Sequence, residues 1–420
     1  MSSPLEILFG KDKAGVLAWH SEKYVYSSLT GPPALTAPSR PDVRRKPAAE
    51  AKCLPTFLEV SIPEGYMRQS MLARLEKLAE PEDMRLLRAV GGNMIGLVSA
   101  IDRNRAPYGL IDSPVLDIAT TLQMDQKKLL DLAFAHAGTW PGISGGFMKL
   151  LVTTSPEPPL RRAREWIVKL ADDDRAGLCV IEHFGMRAAK SMGLEVPETI
   201  LSDDCSRLLV ERFDIDASGK RLGFEDMCSL SGAPAADKYA SSAERIVGIL
   251  EATCDSKTVA ASKEAFFAQY LLASVIRNGD AHLKNFGVLY GKDHLTALSP
   301  VYDMVSMAVY APKRNDGDAA DGMALTLNGS RRWPSAQMLS ELARRCSISR
   351  DKEIWWHERL QFSLLQVGVR AAEMVCQRNI SNQIRASVIR MLELWGFGIR
   401  SYSVDAANRL SEIVQTLTGK

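Results

Sequence analysis

Alternating apolar and polar positions open the chain. "LEILFG" and "GVLAWHSEKYVYSSL" read as short strands joined by a turn at Lys11-Asp12-Lys13. Residues 31–55, rich in Pro, Ala and charge, break that pattern and predict a long loop. Helical spacing returns in "SMLARLEKLAE" and "PEDMRLLRAV", and Gly91-Gly92-Asn93 leads into the strand-like "MIGLVSAI". "MDQKKLLDLAFAHAG" predicts a helix closed by Gly138. A Gly-rich turn in "GISGGFMKLLVT" then feeds an apolar run, and "EWIVKLAD" is a further strand candidate. "GLCVIEHFGMRAAKSMG" is a helix stopped by Gly193, and "RLLVERFDI" is again strand-like. Beyond about residue 222 helical segments dominate, among them "SKEAFFAQYLLASVI", "ERLQFSLLQVGVRAAEMVCQ" and "QIRASVIRMLELWG". The pattern predicts an α+β chain with a mixed front and a mostly helical back, divided as 1–110, 111–215 and 216–420.

With 420 residues there is enough sequence for two or three folding units. A net charge of +2 is too small to argue for nucleic acid or membrane binding by bulk electrostatics. The basic spots at Arg44-Arg45-Lys46, Arg161-Arg162 and Arg331-Arg332 read as solvated surface. Seven scattered cysteines without a CxxC pair or Cys/His cluster indicate neither a zinc site nor a disulfide framework. No signal-peptide layout opens the chain and no apolar run reaches membrane-spanning length, so a cytoplasmic protein is expected.

The densest polar window is "RNGDAHLKN", from Arg277 to Asn285, set between an apolar helix and an apolar strand. Asp280 and Asn285 share this loop, and a second acid, Asp303, follows in "LSPVYDMVSM" after the strand pair "FGVLY" and "HLTAL". Phosphoryl transfer needs such an inventory. One carboxylate orients the attacking hydroxyl, while an amide oxygen and a second carboxylate suit Mg²⁺, which prefers hard oxygen ligands. In the front half, Gly142, Gly145 and Gly146 allow backbone N–H groups to turn towards phosphates. Lys169 lies inside an apolar strand, a costly position unless its ammonium has a partner, and Glu182 on the next helix is the natural one. "LLVERFDI" would be a hinge whose main chain at Glu211 and Phe213 faces an adenine. Each residue also has an ordinary reading. Asp280 and Asn285 favour turns in any loop, Lys149 could be a solvated loop-end charge, Glu182 a helix surface residue, and His282 a loop-orienting group rather than a phosphate contact.

Five stretches together resemble the HipA family, the serine/threonine-kinase toxins of bacterial toxin–antitoxin modules. They are "ISGGFMK", "VPETI…LLVERFDI", "FEDMCSLSGAPAADKY", "NGDAHLKNFGVLY" and "LSPVYDMVS", with "MALTLNGSRRW" also similar. The resemblance implies a two-lobed, protein-kinase-like fold that uses ATP and Mg²⁺. It makes Asp280 the catalytic base and Asn285 and Asp303 the Mg²⁺ ligands. Lys169 would contact the ATP phosphates, and Glu211 and Phe213 the adenine. It implies a small helix-turn-helix antitoxin through which DNA is contacted, and a protein target, in the best-known cases an aminoacyl-tRNA synthetase. Family members commonly phosphorylate a serine in the Gly-rich loop. Here Gly142 stands at its usual position, and Ser144 is the hydroxyl left in that turn for autophosphorylation. Two other readings fit parts of the pattern. Aminoglycoside and choline kinases share the G-D-x-H-x-x-N string but lack the "VERFD" and "EDMC" stretches. A catalytically silent corepressor would keep the antitoxin and lose the chemistry.

Overall fold

Ser21 and Glu22 both adopt the left-handed backbone region, at φ 49° and 59°. The stretch read as one strand is therefore a hairpin: Asp12–His20 and Lys23–Ser28 pair antiparallel, with Leu17 opposite Tyr26. The turn before it lies at Gly10 and Lys11 rather than at 11–13, because Asp12 and Lys13 already pair with Phe9 and Leu8. This computed structural model describes residues 3–29, 48–75, 79–104, 116–135, 140, 142–143, 148–154, 164–171, 174–291 and 294–419, with backbone alone for 48–51 and 133–135.

The chain gathers into two compact units. The first takes Met1–Leu170, Leu209–Lys238 and Gly287–Thr296. Its opening sheet has five antiparallel strands in the order Ala48–Ala51, Lys23–Ser28, Asp12–His20, Leu5–Phe9, Val98–Ile101. Alternate residues Leu5, Ile7, Leu17, Tyr24 and Tyr26 are buried, as period-two patterning requires. The helix Glu82–Val90 packs beside Val98–Ile101. A Cβ at Gly91 would lie 2.0 Å from the Ala100 carbonyl oxygen, so only glycine permits this approach. Within "SMLARLEKLAE" the helix Gly65–Leu72 ends at Leu72, and residues 73–75 form a turn.

A second sheet in this unit sets Lys149–Thr154 antiparallel to Arg164–Leu170, with Arg207–Glu211 on the far side of the latter. A third places Gly223–Asp226 beside Gly287–Gly291, and the strand His294–Leu298 returns next to it.

The second unit takes Ala171–Leu208, Tyr239–Phe286 and Ala297–Lys420 and is mostly helical. Five of its helices start on a serine whose side chain accepts the N–H three residues on: Ser242, Ser335, Ser349, Ser381 and Ser403. Each such cap is worth about 1 kcal/mol. Val259–Val275 is buried nearly all round, with Phe266, Phe267, Tyr270 and Leu271 fully enclosed. Asn382–Ile399 presses on its end. A Cβ at Gly398 would come within 1.9 Å of the Val275 carbonyl oxygen. That contact anchors the backbone two residues before the polar window begins. No helix among the described residues is long and apolar enough to cross a membrane. All seven cysteines are free thiols.

Candidate active site

The helix Val259–Val275 ends at Ile276, and the chain then turns sharply through Arg277, a non-glycine residue at φ 61°. This strained backbone is fixed by its own side chain, which donates to Asp318 at 2.8 and 3.2 Å and lies 4.9 Å from the Trp333 ring centre. Asn278 is 2% exposed, and its side-chain oxygen accepts the Asp280 N–H at 3.2 Å. Gly279 is pressed against Asp321, whose carboxylate would meet a Cβ at 2.1 Å. His282 and Lys284 are buried as well. The His282 N–H donates to the Asn285 side-chain oxygen at 3.1 Å, and the Asn285 N–H to the His282 carbonyl at 2.9 Å. Asn285 Oδ1 retains a second lone pair for another donor or a cation. Within this clamped loop the Asp280 side chain is 38% exposed. The Tyr239 hydroxyl donates to Asp280 Oδ1 at 2.6 Å, a contact that sequence spacing did not suggest.

Asp303 belongs to the same unit and sits at φ 51°, a conformation Asp tolerates better than most residues. Both flanks hold it. The Tyr302 hydroxyl donates to the Lys284 carbonyl at 2.9 Å, tying this segment to the Asp280 loop. On the other side the Met304 carbonyl oxygen would be 2.0 Å from a Cβ at Gly185. Gly185 lies on the helix Leu178–Met192, one turn beyond the buried Glu182. Residues three apart share a helix face, so the Glu182 face is the one that meets the Asp303 segment. Asn285 and Asp303 offer an amide and a carboxylate oxygen, a donor set suited to Mg²⁺.

The first unit holds the remaining candidates. Lys149 and Lys169 are directly opposite each other across two antiparallel strands, 3% and 8% exposed. The Glu211 side chain is engaged by Arg164 at 2.5 and 2.8 Å, and the Phe213 ring meets Phe224 edge-on at 5.5 Å. Between them Arg212 and Asp214 form a fully enclosed pair at 2.6 and 2.9 Å. Arg212 also reaches Glu165 at 3.0 Å, and Asp214 accepts the Gly96 N–H at 2.7 Å. Burial pushes the Asp214 carboxyl up, but the charge and hydrogen bonds of Arg212 outweigh it and hold the carboxyl below its ordinary range. The "VERFD" stretch thus carries a structural ion pair as well as a candidate hinge.

Gly142 is glycine for a reason other than the one expected. Its N–H donates to the Asn93 carbonyl at 3.1 Å, and a Cβ would lie 2.7 Å from Met94 Cα. A serine does not fit there in this backbone. Ser144, Gly145 and Gly146 lie outside the described residues.

Comparison with known proteins agrees with this architecture. The chain is 28% identical over 200 residues to Y4dM of Sinorhizobium fredii, a protein named as a kinase, covering 44% of this chain and 46% of that one. It is 28% identical over 325 residues to Y4mE of the same organism, also named as a kinase, covering 72% and 75%. The chain thus spans about half the length of the first of these relatives and three quarters of the second. Among solved structures, HipA of Shewanella oneidensis MR-1, determined with HipB and operator DNA, superposes with a TM-score of 0.65 at 18% identity, covering 99% of this chain and 97% of that one. At that identity the likeness speaks for the fold, which is the α+β architecture that the residue pattern predicts and the kinase-like one that the family resemblance implies. Sequence profiles decide the family: the HipA N-terminal domain matches residues 5–101, and the HipA-like C-terminal domain matches 142–370, more than half of the chain. The chain belongs to the HipA-like family.

Proposed function

We propose that this chain is an ATP- and Mg²⁺-dependent protein kinase acting on serine or threonine, the toxin of a toxin–antitoxin pair. The observation that carries the reading is the loop from Arg277 to Asn285, clamped by buried partners on both sides of one half-exposed carboxylate, Asp280. A base held rigidly at a solvent-facing position is what phosphoryl transfer asks of the protein, since its catalysis is mostly positioning and electrostatics. Asp280 orients the acceptor hydroxyl and takes its proton. His282 steadies the loop.

Asn285 and Asp303 would hold Mg²⁺, which when bound neutralises charge on the phosphates. Lys149 and Lys169 would supply two ammonium groups to the phosphates, and the main chain at Glu211 and Phe213 would face the adenine. Gly145 and Gly146 would frame the phosphate loop, and Ser144 is its candidate autophosphorylation site. The partner is a helix-turn-helix, HipB-like antitoxin through which operator DNA is contacted. The target is a protein, with an aminoacyl-tRNA synthetase as the first candidate.

The test is labelling of a cell extract with γ-labelled ATP and Mg²⁺, with mass spectrometry of the modified residues. Wild-type protein should label serine or threonine, and Asp280→Asn should lower the rate by about 10²–10⁴-fold with the fold intact. Label on an antibiotic or sugar and none on protein would replace this reading with a small-molecule kinase. Equal labelling by both proteins would remove Asp280 from the mechanism.

A further inference from the structure

The stretches "EDMCSLSGAPAADKY" and "MALTLNGSRRW" have no task in the chemistry above, yet Tyr239 of the first touches the base and Arg331 of the second touches Tyr239. The Tyr239 hydroxyl donates to Asp280 Oδ1 at 2.6 Å. Its ring stands edge-on to His282, with centroids 5.1 Å apart and planes at 74°. Its carbonyl accepts from the Arg331 guanidinium at 2.6 Å, which fixes the backbone behind the ring. Among the described residues none donates to Asp280 Oδ2. The carboxylate therefore has one oxygen committed and one open, on a side chain 38% exposed.

A carboxylate on an exposed loop otherwise samples several rotamers, and a base that must face an acceptor hydroxyl loses rate for every unproductive orientation. A short hydrogen bond from a neutral phenol to an ionised carboxylate is among the stronger kinds. It selects one rotamer without removing the charge that the base needs. We infer that Tyr239 is the positioning residue of the proposed kinase reaction: it binds Asp280 Oδ1 so that Oδ2 faces the acceptor. As the acceptor oxygen bonds to the γ-phosphorus and the bridging bond to ADP breaks, the acceptor proton passes to Oδ2. Tyr239 keeps its own proton throughout. Arg331 acts one step further back by holding the Tyr239 backbone.

This inference rests on Asp280 being the base, so the experiment varies both residues. Kinetics of protein labelling are compared for wild type, Tyr239→Phe, Asp280→Asn and the double variant. Tyr239→Phe keeps the ring and loses the donor. It should lower kcat by about 10–100-fold, the worth of one hydrogen bond to a charged group, with KM for ATP within twofold. In the Asp280→Asn background the same change should have no further effect on the residual rate, because the carboxylate it orients is gone. Tyr239→His, which retains a ring N–H donor, should recover part of the loss. Wild-type kcat in Tyr239→Phe, a loss that adds fully to that of Asp280→Asn, or equal loss in the Phe and His variants would each overturn the assignment. If Asp280→Asn itself labels at the wild-type rate, the reading of Asp280 as the base falls, and the role of Tyr239 with it. If it is inactive while Tyr239→Phe is normal, the function stands and the role of Tyr239 does not.

Discussion

Lys149 and Lys169 face each other in register across the strands Lys149–Thr154 and Arg164–Leu170, and both are buried. Like charges directly opposite in a sheet oppose folding, and buried ammonium groups need anionic company. A polyphosphate lying along that face would draw on both at once. Replacing Lys169 with Met should abolish most of the thermal stabilisation that ATP and Mg²⁺ give. Wild type should gain about 2.7 kcal/mol at a hundredfold excess of ligand over Kd. Lys149→Met should raise KM for ATP several-fold with a smaller change in kcat. Differential scanning fluorimetry with and without nucleotide reads the first effect, and steady-state labelling reads the second. Undiminished nucleotide shifts in both variants would place the phosphates elsewhere.

Asp303 offers a clean separation of backbone from carboxylate. Its φ of 51° costs an alanine about 1 kcal/mol that a glycine does not pay. Asp303→Gly should therefore be more stable than Asp303→Ala by about that amount in urea titrations. Both should lose kinase activity by at least about a hundredfold, because neither supplies the oxygen proposed for Mg²⁺. Equal stability would remove strain from the account of this position. An active glycine variant would remove the carboxylate.

What could be read from the chain beforehand was local. The helix Leu178–Met192 with its stop at Gly193, and the run of polar residues from Arg277 to Asn285, declare themselves within twenty residues or fewer. The hairpin at Ser21-Glu22 did not. Its turn lacks the Gly or Asn that usually marks left-handed backbone, and strand pairing on both sides enforces the conformation instead. Gly142 shows the opposite problem, since a glycine in a Gly-rich stretch suggested a phosphate loop while its actual constraint is the approach to Met94. Contacts of high sequence separation were illegible. Tyr239 lies 41 residues from Asp280, and Asp214 lies 118 residues from the Gly96 amide it accepts.

The enclosed pair Arg212–Asp214 should dominate the stability of the first unit. Asp214→Asn leaves the guanidinium buried with its main counter-charge gone and should cost about 3–5 kcal/mol. The double variant Arg212→Met/Asp214→Asn should recover a large part of that loss, because the orphaned charge is gone too. The folded-state carboxyl is held below its ordinary range, so its contribution is complete above about pH 4 and disappears as pH falls through the folded value. Chemical denaturation of the three proteins at pH 7.5 tests the pair. A loss under about 1 kcal/mol in Asp214→Asn would contradict it.

His183 predicts a second acid-sensitive step at higher pH. It lines a cleft of about 610 Å³ with Arg187, Lys190, Arg370 and Arg378, and its Nδ1 lies 3.3 Å from the Thr199 hydroxyl. Burial, and after it the charges of Arg187 and Arg378, push its pKa down from 6.5 to about 4. The unfolded chain therefore binds a proton near pH 6.5 that the folded chain refuses until about pH 4. Stability from this residue is complete above pH 6.5 and declines as pH drops through that interval, by up to about 3 kcal/mol. His183→Gln cannot take up the proton, so its stability curve should be flatter between those limits. Urea titrations of both proteins at pH 7.5, 6.0, 5.0 and 4.5 measure the difference. The gap between the curves should widen in favour of the variant as pH falls, and it should do so before the Asp214 carboxyl begins to titrate. Parallel curves across that range would mean that the folded imidazole accepts its proton as readily as the unfolded one.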